Sequence, residues 1–123
     1  MTPDDMKRRV KAFAVAVIKV ADRLPRTLAT QRIAGQLVDA AGSAAANYRA
    51  ACRGRSRAEF VAKLGIVEEE ADEADFWLEV LVDSGLMDAS AARPLRQEAG
   101  EIVAITVRSI QTARANSTRP YRT

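Results

Sequence analysis

The sequence predicts an all-α protein, an up-down-up-down four-helix bundle. Apolar residues recur at helical spacing in four separate stretches. Short segments carrying Pro25, Gly54 and Gly85 divide those stretches. The composition agrees: six Gly, four Pro and 5% aromatics in 123 alanine-rich residues favour long helices over strands. A chain of this length forms one domain and buries a core without metal or disulfide support. The expected domain covers residues 1–116, with a flexible polar tail over 117–123.

The first helix is expected from about Pro3 to Arg23. Thr2 suits the N-cap, Pro3 the first helical position, and Asp4 and Asp5 the positive end of the helix dipole. Val10, Phe13, Ala14, Val17, Ile18, Ala21 and Leu24 form one continuous apolar stripe, and Pro25 stops the helix. The second helix starts at Leu28 or Gln31, capped by Thr27 or Thr30, and ends at Ala51. Ile33, Leu37, Ala40, Ala41, Ala44 and Tyr48 share a face. The small run from Ala40 to Ala46 reads as a place of close helix approach. Propensity alone does not explain Gly42, which costs roughly 1 kcal/mol relative to Ala.

The third helix is expected over Arg57–Ser84. Ser56-Arg57-Ala58-Glu59 matches a capping box, and Gly85 a left-handed C-terminal stop. Phe60, Leu64, Val67, Ala71, Ala74, Leu78 and Leu81 alternate spacings of four and three, as in a bundle seam. The fourth helix begins near Asp88 or Ser90 and ends near Asn116. Pro94 predicts a kink or an irregular start. Leu95, Ala99, Ile102, Ile105 or Thr106, and Ser109 form its core face. Val103, Val107 and Ile110 widen the apolar surface enough to suggest a partner subunit.

The residue inventory argues against catalysis. There is no histidine, which removes Ser-His-Asp and Cys-His arrangements, histidine general bases and the usual zinc sites. No GxGxxG or P-loop pattern occurs, and no cofactor is implied. The single cysteine, Cys52, excludes an intrachain disulfide and reads as a packing residue. Asp4, Asp5 and Lys19 spoil a signal-peptide reading of the N-terminus. No run approaches the ~18 apolar residues of a membrane span, so a cytoplasmic location is expected.

Charge is the strongest functional signal. The net charge of +3 divides into +8 over residues 1–57, −9 over 58–92 and +4 over 93–123. Arg49, Arg53, Arg55 and Arg57 crowd the bend between the second and third helices, and Lys7, Arg8, Arg9 and Lys11 crowd the first. Arg49 and Arg53 suit the negative end of a helix without any ligand. Arg55 and Arg57 oppose the dipole of the next helix, so they are the residues least explained by folding. Two readings are open. The arginines bind a nucleic-acid phosphate backbone without reading bases, since no aromatics interleave with them. Alternatively they pair with the acidic run Glu68 to Asp75, in this chain or in a neighbouring copy. That run has no visible further ligands for a metal, and Trp77 beside it reads as a packing anchor.

Gln36-Leu37-Val38-Asp39-Ala40-Ala41-Gly42-Ser43 with Ala46-Asn47, followed by Gly54-Arg55-Ser56-x-x-Glu59-Phe60, resembles a bacterial four-helix-bundle family. It includes the proteins encoded in intervening sequences of large-subunit ribosomal RNA genes, and the accessory variability determinants of diversity-generating retroelements. The family often reads Ala-Asn-Ile-Ala-Glu-Gly before the bend; here Ala46-Asn47-Tyr48-Arg49-Ala50-Ala51 makes it more basic. The resemblance implies a ring-like homopentamer and a non-enzymatic role. In the retroelement branch it implies RNA or DNA and a reverse transcriptase as partners, while many other members have no established function. The expected function is therefore an oligomeric nucleic-acid-binding accessory protein. The alternative is a structural or protein-interaction homo-oligomer with no nucleic-acid role.

Overall fold

Four helices follow one another with short links: α1 (Pro3–Ala21), α2 (Leu28–Ala51), α3 (Arg57–Asp83) and α4 (Ala89–Ala115). The computed structural model describes residues 1–121. Among them the secondary structure is helical, with no strand. The seams α1–α2, α2–α3 and α3–α4 are extensive, while α1 and α4 touch only lightly. The N-terminus of α1, the bend between α2 and α3, and the C-terminal segment after α4 gather near one end of the molecule.

Local chemistry sets the boundaries. At the start of α1 the Thr2 hydroxyl accepts the Asp5 N–H at 3.1 Å, and the Asp5 carboxylate accepts the Thr2 N–H at 2.9 Å. This is a complete capping box. The Thr2 backbone bond, then its hydroxyl, then Arg8 hold the Asp5 carboxyl below the usual carboxylate range. α1 ends at Ala21, two residues earlier than expected. Pro25 disfavours helical backbone at Leu24, and the chain tightens into turns whose Arg23 and Leu24 amides bond the carbonyls of Val20 and Ala21.

α2 is capped by Thr27, whose hydroxyl donates to that of Thr30 at 2.7 Å. Thr30 is therefore a buried polar residue with a partner. The Ser56–Glu59 box is half formed. The Ser56 hydroxyl accepts the Glu59 N–H at 3.1 Å, but the Glu59 carboxylate reaches back to the Arg55 N–H instead of that of Ser56. The end of α3 is as expected: Gly85 has φ +74, Leu86 N–H bonds the Leu81 carbonyl and Gly85 N–H that of Val82. These two bonds make a Schellman motif, in which glycine takes the left-handed position at low cost. α4 is continuous through Pro94, without the expected irregular start. Pro94 removes only the bond to the exposed Ser90 carbonyl near the helix N-terminus, where water can replace it.

The core is built from Leu and Val set against Ala. Leu37, Leu64, Leu78, Leu81, Ile102, Val10, Val17 and Val67 are fully buried, with Ala40, Ala41, Ala44, Ala71, Ala74 and Ala99 between them. The third-helix seam is as its periodicity predicts, with Phe60 only half-buried at its start. α1 departs from prediction: Ile18 is 50% exposed, while Met6 is buried. The first turn of α1 thus points a methionine inward that the stripe from Val10 did not include. Val103 and Ile105 pack partly against the chain's own core, so less of α4 is left uncovered than its sequence suggests.

Gly42, inside α2, and Gly54, at the bend, differ in kind. A Cβ at Gly42 would meet nothing within 4 Å, so close helix approach does not explain this residue. The small contacts of α2 are made by Ala40, Ala41 and Ala44 instead. A Cβ at Gly54 would lie 3.0 Å from the Ala51 carbonyl oxygen and 3.3 Å from the Phe60 nitrogen. Both are backbone atoms that cannot swing aside, so the tight α2–α3 bend requires glycine there.

Candidate nucleic-acid interface

The bend places its four arginines in different settings. Arg49, in the last turn of α2, and Arg53, just past its end, are exposed, as is Arg55. Among the described residues none of the three forms an ion pair. Arg57 differs. Its Nη1 donates to the Ser117 carbonyl at 3.0 Å and its Nη2 to the Arg119 carbonyl at 2.6 Å. The sequence offers no folding reason for Arg57, but the structure supplies one: it anchors the segment after α4. The segment up to Tyr121 lies against the bend, with the Tyr121 ring tilted against Phe60 at 6.3 Å between ring centroids. Residues 122–123 of the expected tail lie outside the described residues.

The cations of α1 also divide. Arg9 faces α4, where its Nε and Nη2 donate to the two carboxylate oxygens of Glu98 at 2.7 Å each. Its Nη2 also donates to Glu101 at 2.7 Å. The bonds to Glu98, then to Glu101, push the Arg9 pKa up. This bidentate clasp closes the light α1–α4 seam, so Arg9 is a structural residue rather than a candidate phosphate ligand. Lys7 pairs with Asp4 at 3.3 Å and Arg8 with Asp5 at 2.6 Å, both one turn away and exposed to solvent. Such pairs contribute little and exchange readily. Lys11 is exposed and makes no ion pair among the described residues.

The antiparallel packing of α1 on α2 brings Lys7, Arg8 and Lys11 to the same cleft as Arg49. Its volume is about 530 Å³ and Ala45 and Ala46 line it as well. Lys7 and Lys11 stand one turn apart on α1, and Arg49 meets them from the last turn of α2, where a cation also suits the helix dipole. The methyl side chains of Ala45 and Ala46 leave room for a ligand between the cations. Asp4 is the one carboxylate lining the cleft. The structure thus unites four of the eight sequence candidates. It leaves Arg53 and Arg55 on the adjoining bend, pairs Arg9 with Glu98 and Glu101, and bonds Arg57 to the segment after α4.

Of the acidic run only Asp75 forms an ion pair among the described residues, and its partner lies on α4 rather than α2. Arg96 Nε donates to Asp75 at 2.7 Å and Nη2 to Glu79 at 3.1 Å. Glu73 accepts the indole N–H of Trp77 at 3.3 Å, and Trp77 is half-buried against the core as an anchor. Glu69 and Asp72 remain exposed on the outer face with Phe76, which is 50% exposed and meets Trp77 edge-on at 4.9 Å. Among the described residues no group of three or more acidic or cysteine side chains is placed to hold a metal ion. Cys52 is half-buried beside Tyr48. Burial first, then Cys52, pushes the Tyr48 hydroxyl pKa up.

Removing the Arg9 clasp should show its structural role. Arg9→Ala leaves the Glu98 and Glu101 carboxylates unpaired, and the expected loss is on the order of 1 kcal/mol after discounting for solvent. Arg8→Ala, one residue away, should leave thermal unfolding unchanged. Arg9, then Gln97, hold the Glu101 carboxyl below its ordinary range. A depressed carboxyl contributes stability above its unfolded pKa, about 4.3, and loses it as pH falls through the folded value. The Arg9→Ala penalty in a denaturation series should therefore be full at pH 6 and shrink toward pH 3.

Sequence reasoning missed Tyr121 and Arg119. Tyr121 is the one aromatic after Trp77, and that isolation is the only sequence signal that it packs on something. No helix among the described residues is long and apolar enough to cross a membrane. No curated protein matches the chain. A solved structure of a protein of unknown function from the S23 ribosomal protein family of Bacteroides thetaiotaomicron is similar throughout. The two share 26% identity with a TM-score of 0.81, over 90% of this chain and 99% of the other. The model of the 23S rRNA-intervening sequence proteins matches residues 5–108, which takes in α1 to α3, the basic cleft and most of α4. By that match the chain belongs to the 23S rRNA-intervening sequence protein family.

Proposed function

We propose that this protein is a non-enzymatic nucleic-acid-binding accessory protein that holds an RNA phosphate backbone in the α1–α2 cleft. The observation that carries the reading is the convergence of Lys7, Arg8 and Lys11 with Arg49 from a second helix. Cations from two helices at one cleft give a phosphodiester several simultaneous contacts, and counterion release then supplies the affinity. Arg53 and Arg55 extend the positive surface onto the bend. The family's name, taken from intervening sequences of 23S rRNA, agrees with an RNA partner. The test is fluorescence anisotropy with labelled RNA over a salt series. Binding that weakens steeply with salt is expected, and no detectable binding at 20 mM salt overturns the reading.

A second reading is favoured by the outer face of α3. Glu69 and Asp72 have no ion pair among the described residues, and Ile66 and Phe76 stand exposed beside them. The outer face of α1 carries Lys11, Val15 and Lys19. Contact of one face with the other in the next copy would be heterologous, the kind of contact from which rings are built, such as the pentamer that the family resemblance implies. Assembly and RNA binding are compatible if the cleft of each copy stays open. Glu69→Lys with Asp72→Lys should reduce the mass seen by sedimentation, and an unaltered assembly removes this face from the interface. Whether the partner is a reverse transcriptase is a matter of gene neighbourhood, and co-purification with a neighbouring reverse transcriptase would decide it.

A further inference from the structure

The segment after α4 brings aromatic and cationic groups together that are far apart in the chain. Tyr121 lies beside Phe60, with ring centroids 6.3 Å apart and planes tilted by 47°. Arg57 holds that segment through its bonds to the carbonyls of Ser117 and Arg119. Between them is an open cleft of about 550 Å³, lined by Arg57, Phe60, Asn116, Arg119 and Tyr121 with Ala113 and Pro120. That volume lies in the range of about 300–1,000 Å³ used by small-molecule sites.

The lining selects a kind of ligand. None of its side chains is a carboxylate. Phe60 and Tyr121 are half-buried, so part of each ring is left uncovered. The guanidinium of Arg57 has five N–H donors, and the two bonds to the tail engage only two of them. Arg119 is exposed, and the Asn116 side chain carries both a donor and an acceptor. Aromatic faces beside cations, with one amide and no carboxylate among the described lining residues, suit a flat heterocycle joined to a phosphate. A base inside a duplex is stacked on both faces and cannot enter, whereas an unpaired base can.

We infer that the Phe60–Tyr121 cleft takes an unpaired base of single-stranded nucleic acid, with Arg119 and the remaining donors of Arg57 beside its phosphate. This rests on the nucleic-acid reading above and adds a preference for strand state. It also replaces the expectation that no aromatic accompanies the basic bend, since the fold supplies Tyr121 from the far end of the chain.

Four labelled or competing probes test it with the full chain at low salt: a single-stranded RNA, the same strand with abasic positions, the matching duplex, and free nucleoside monophosphate. Stacking on an aromatic contributes about 1–3 kcal/mol per base, so the intact strand should bind about 5–150-fold more tightly than the abasic one. Tyr121→Ala should abolish that ratio. Tyr121→Phe, which keeps the ring, should retain the ratio. Equal binding of intact and abasic strands overturns the inference, as does an equal loss for both in Tyr121→Ala. Competition by free monophosphate as strong as by the strand also overturns it, in favour of a free nucleotide ligand. If the abasic strand binds and the ratio is one, only this inference fails. If no probe binds, the nucleic-acid reading fails with it.

Discussion

Lys11→Ala combined with Arg49→Ala should lower RNA affinity about tenfold or more at 100 mM salt and flatten its salt dependence. The magnitude follows from counterion release. Each phosphate neutralised on a single strand contributes about 0.7 to the slope of log affinity against log salt. Four cations at the α1–α2 cleft therefore predict a slope near −2.8 from this site, and loss of two predicts a fall to about half of it. Lys11 and Arg49 are the informative pair because neither makes an ion pair among the described residues. Their removal should leave the fold intact, which a thermal melt checks. Arg9→Ala is the matching control. It removes one cation, as Lys11→Ala does and from the same helix, but at the clasp to Glu98, so it should reduce stability more than it alters the salt slope. A double variant with wild-type affinity and slope would move the binding surface away from this cleft.

Leu78→Ala should be the most damaging single truncation for stability, at about 3–5 kcal/mol by urea denaturation. The stability of a 123-residue domain is about 6–18 kcal/mol, so this is a large share of it. Leu78 is fully buried, and alanines make up a large share of the buried core. Alanine side chains have no torsions with which to swing into a void. The cavity should therefore stay open, which places the cost toward the upper end of the usual range. Phe76→Ala, two positions away, removes a larger side chain that is half exposed. It should cost about 1 kcal/mol or less, chiefly the edge-on contact with Trp77. A small effect of Leu78→Ala would mean that the seam of α3 repacks.

The architecture was legible because the signals that set it are local. The spacing from Leu64 to Leu81, the Thr2, Thr27 and Ser56 caps and the Gly85 stop each act within a turn or two of helix. Where the reading failed, the deciding partner was distant. Arg9 and Arg8 are adjacent cations in sequence, and only the approach of α4 makes one a clasp and leaves the other in solvent. Arg57 opposes the dipole of its own helix, and nothing nearby in sequence predicts the carbonyls of Ser117 and Arg119 that hold it. Gly42 reads in the sequence as a residue of close helix approach, but only Gly54 has backbone atoms where a side chain would go. Of the candidate site, the charge was readable and its division between folding and binding was not.

The light α1–α4 seam has a consequence for how a ligand would act on the molecule. Helices α2, α3 and α4 form a continuous packed unit, and α1 joins it through α2 and through the Arg9 clasp. The first helix is thus the element best able to detach while the rest stays folded. A phosphate strand that touches Lys11 on α1 and Arg49 on α2 at once would tie the two together. Binding would then raise the cost of opening α1 by an amount that grows with the ratio of ligand concentration to Kd, so occupancy and the rigidity of the first helix rise and fall together.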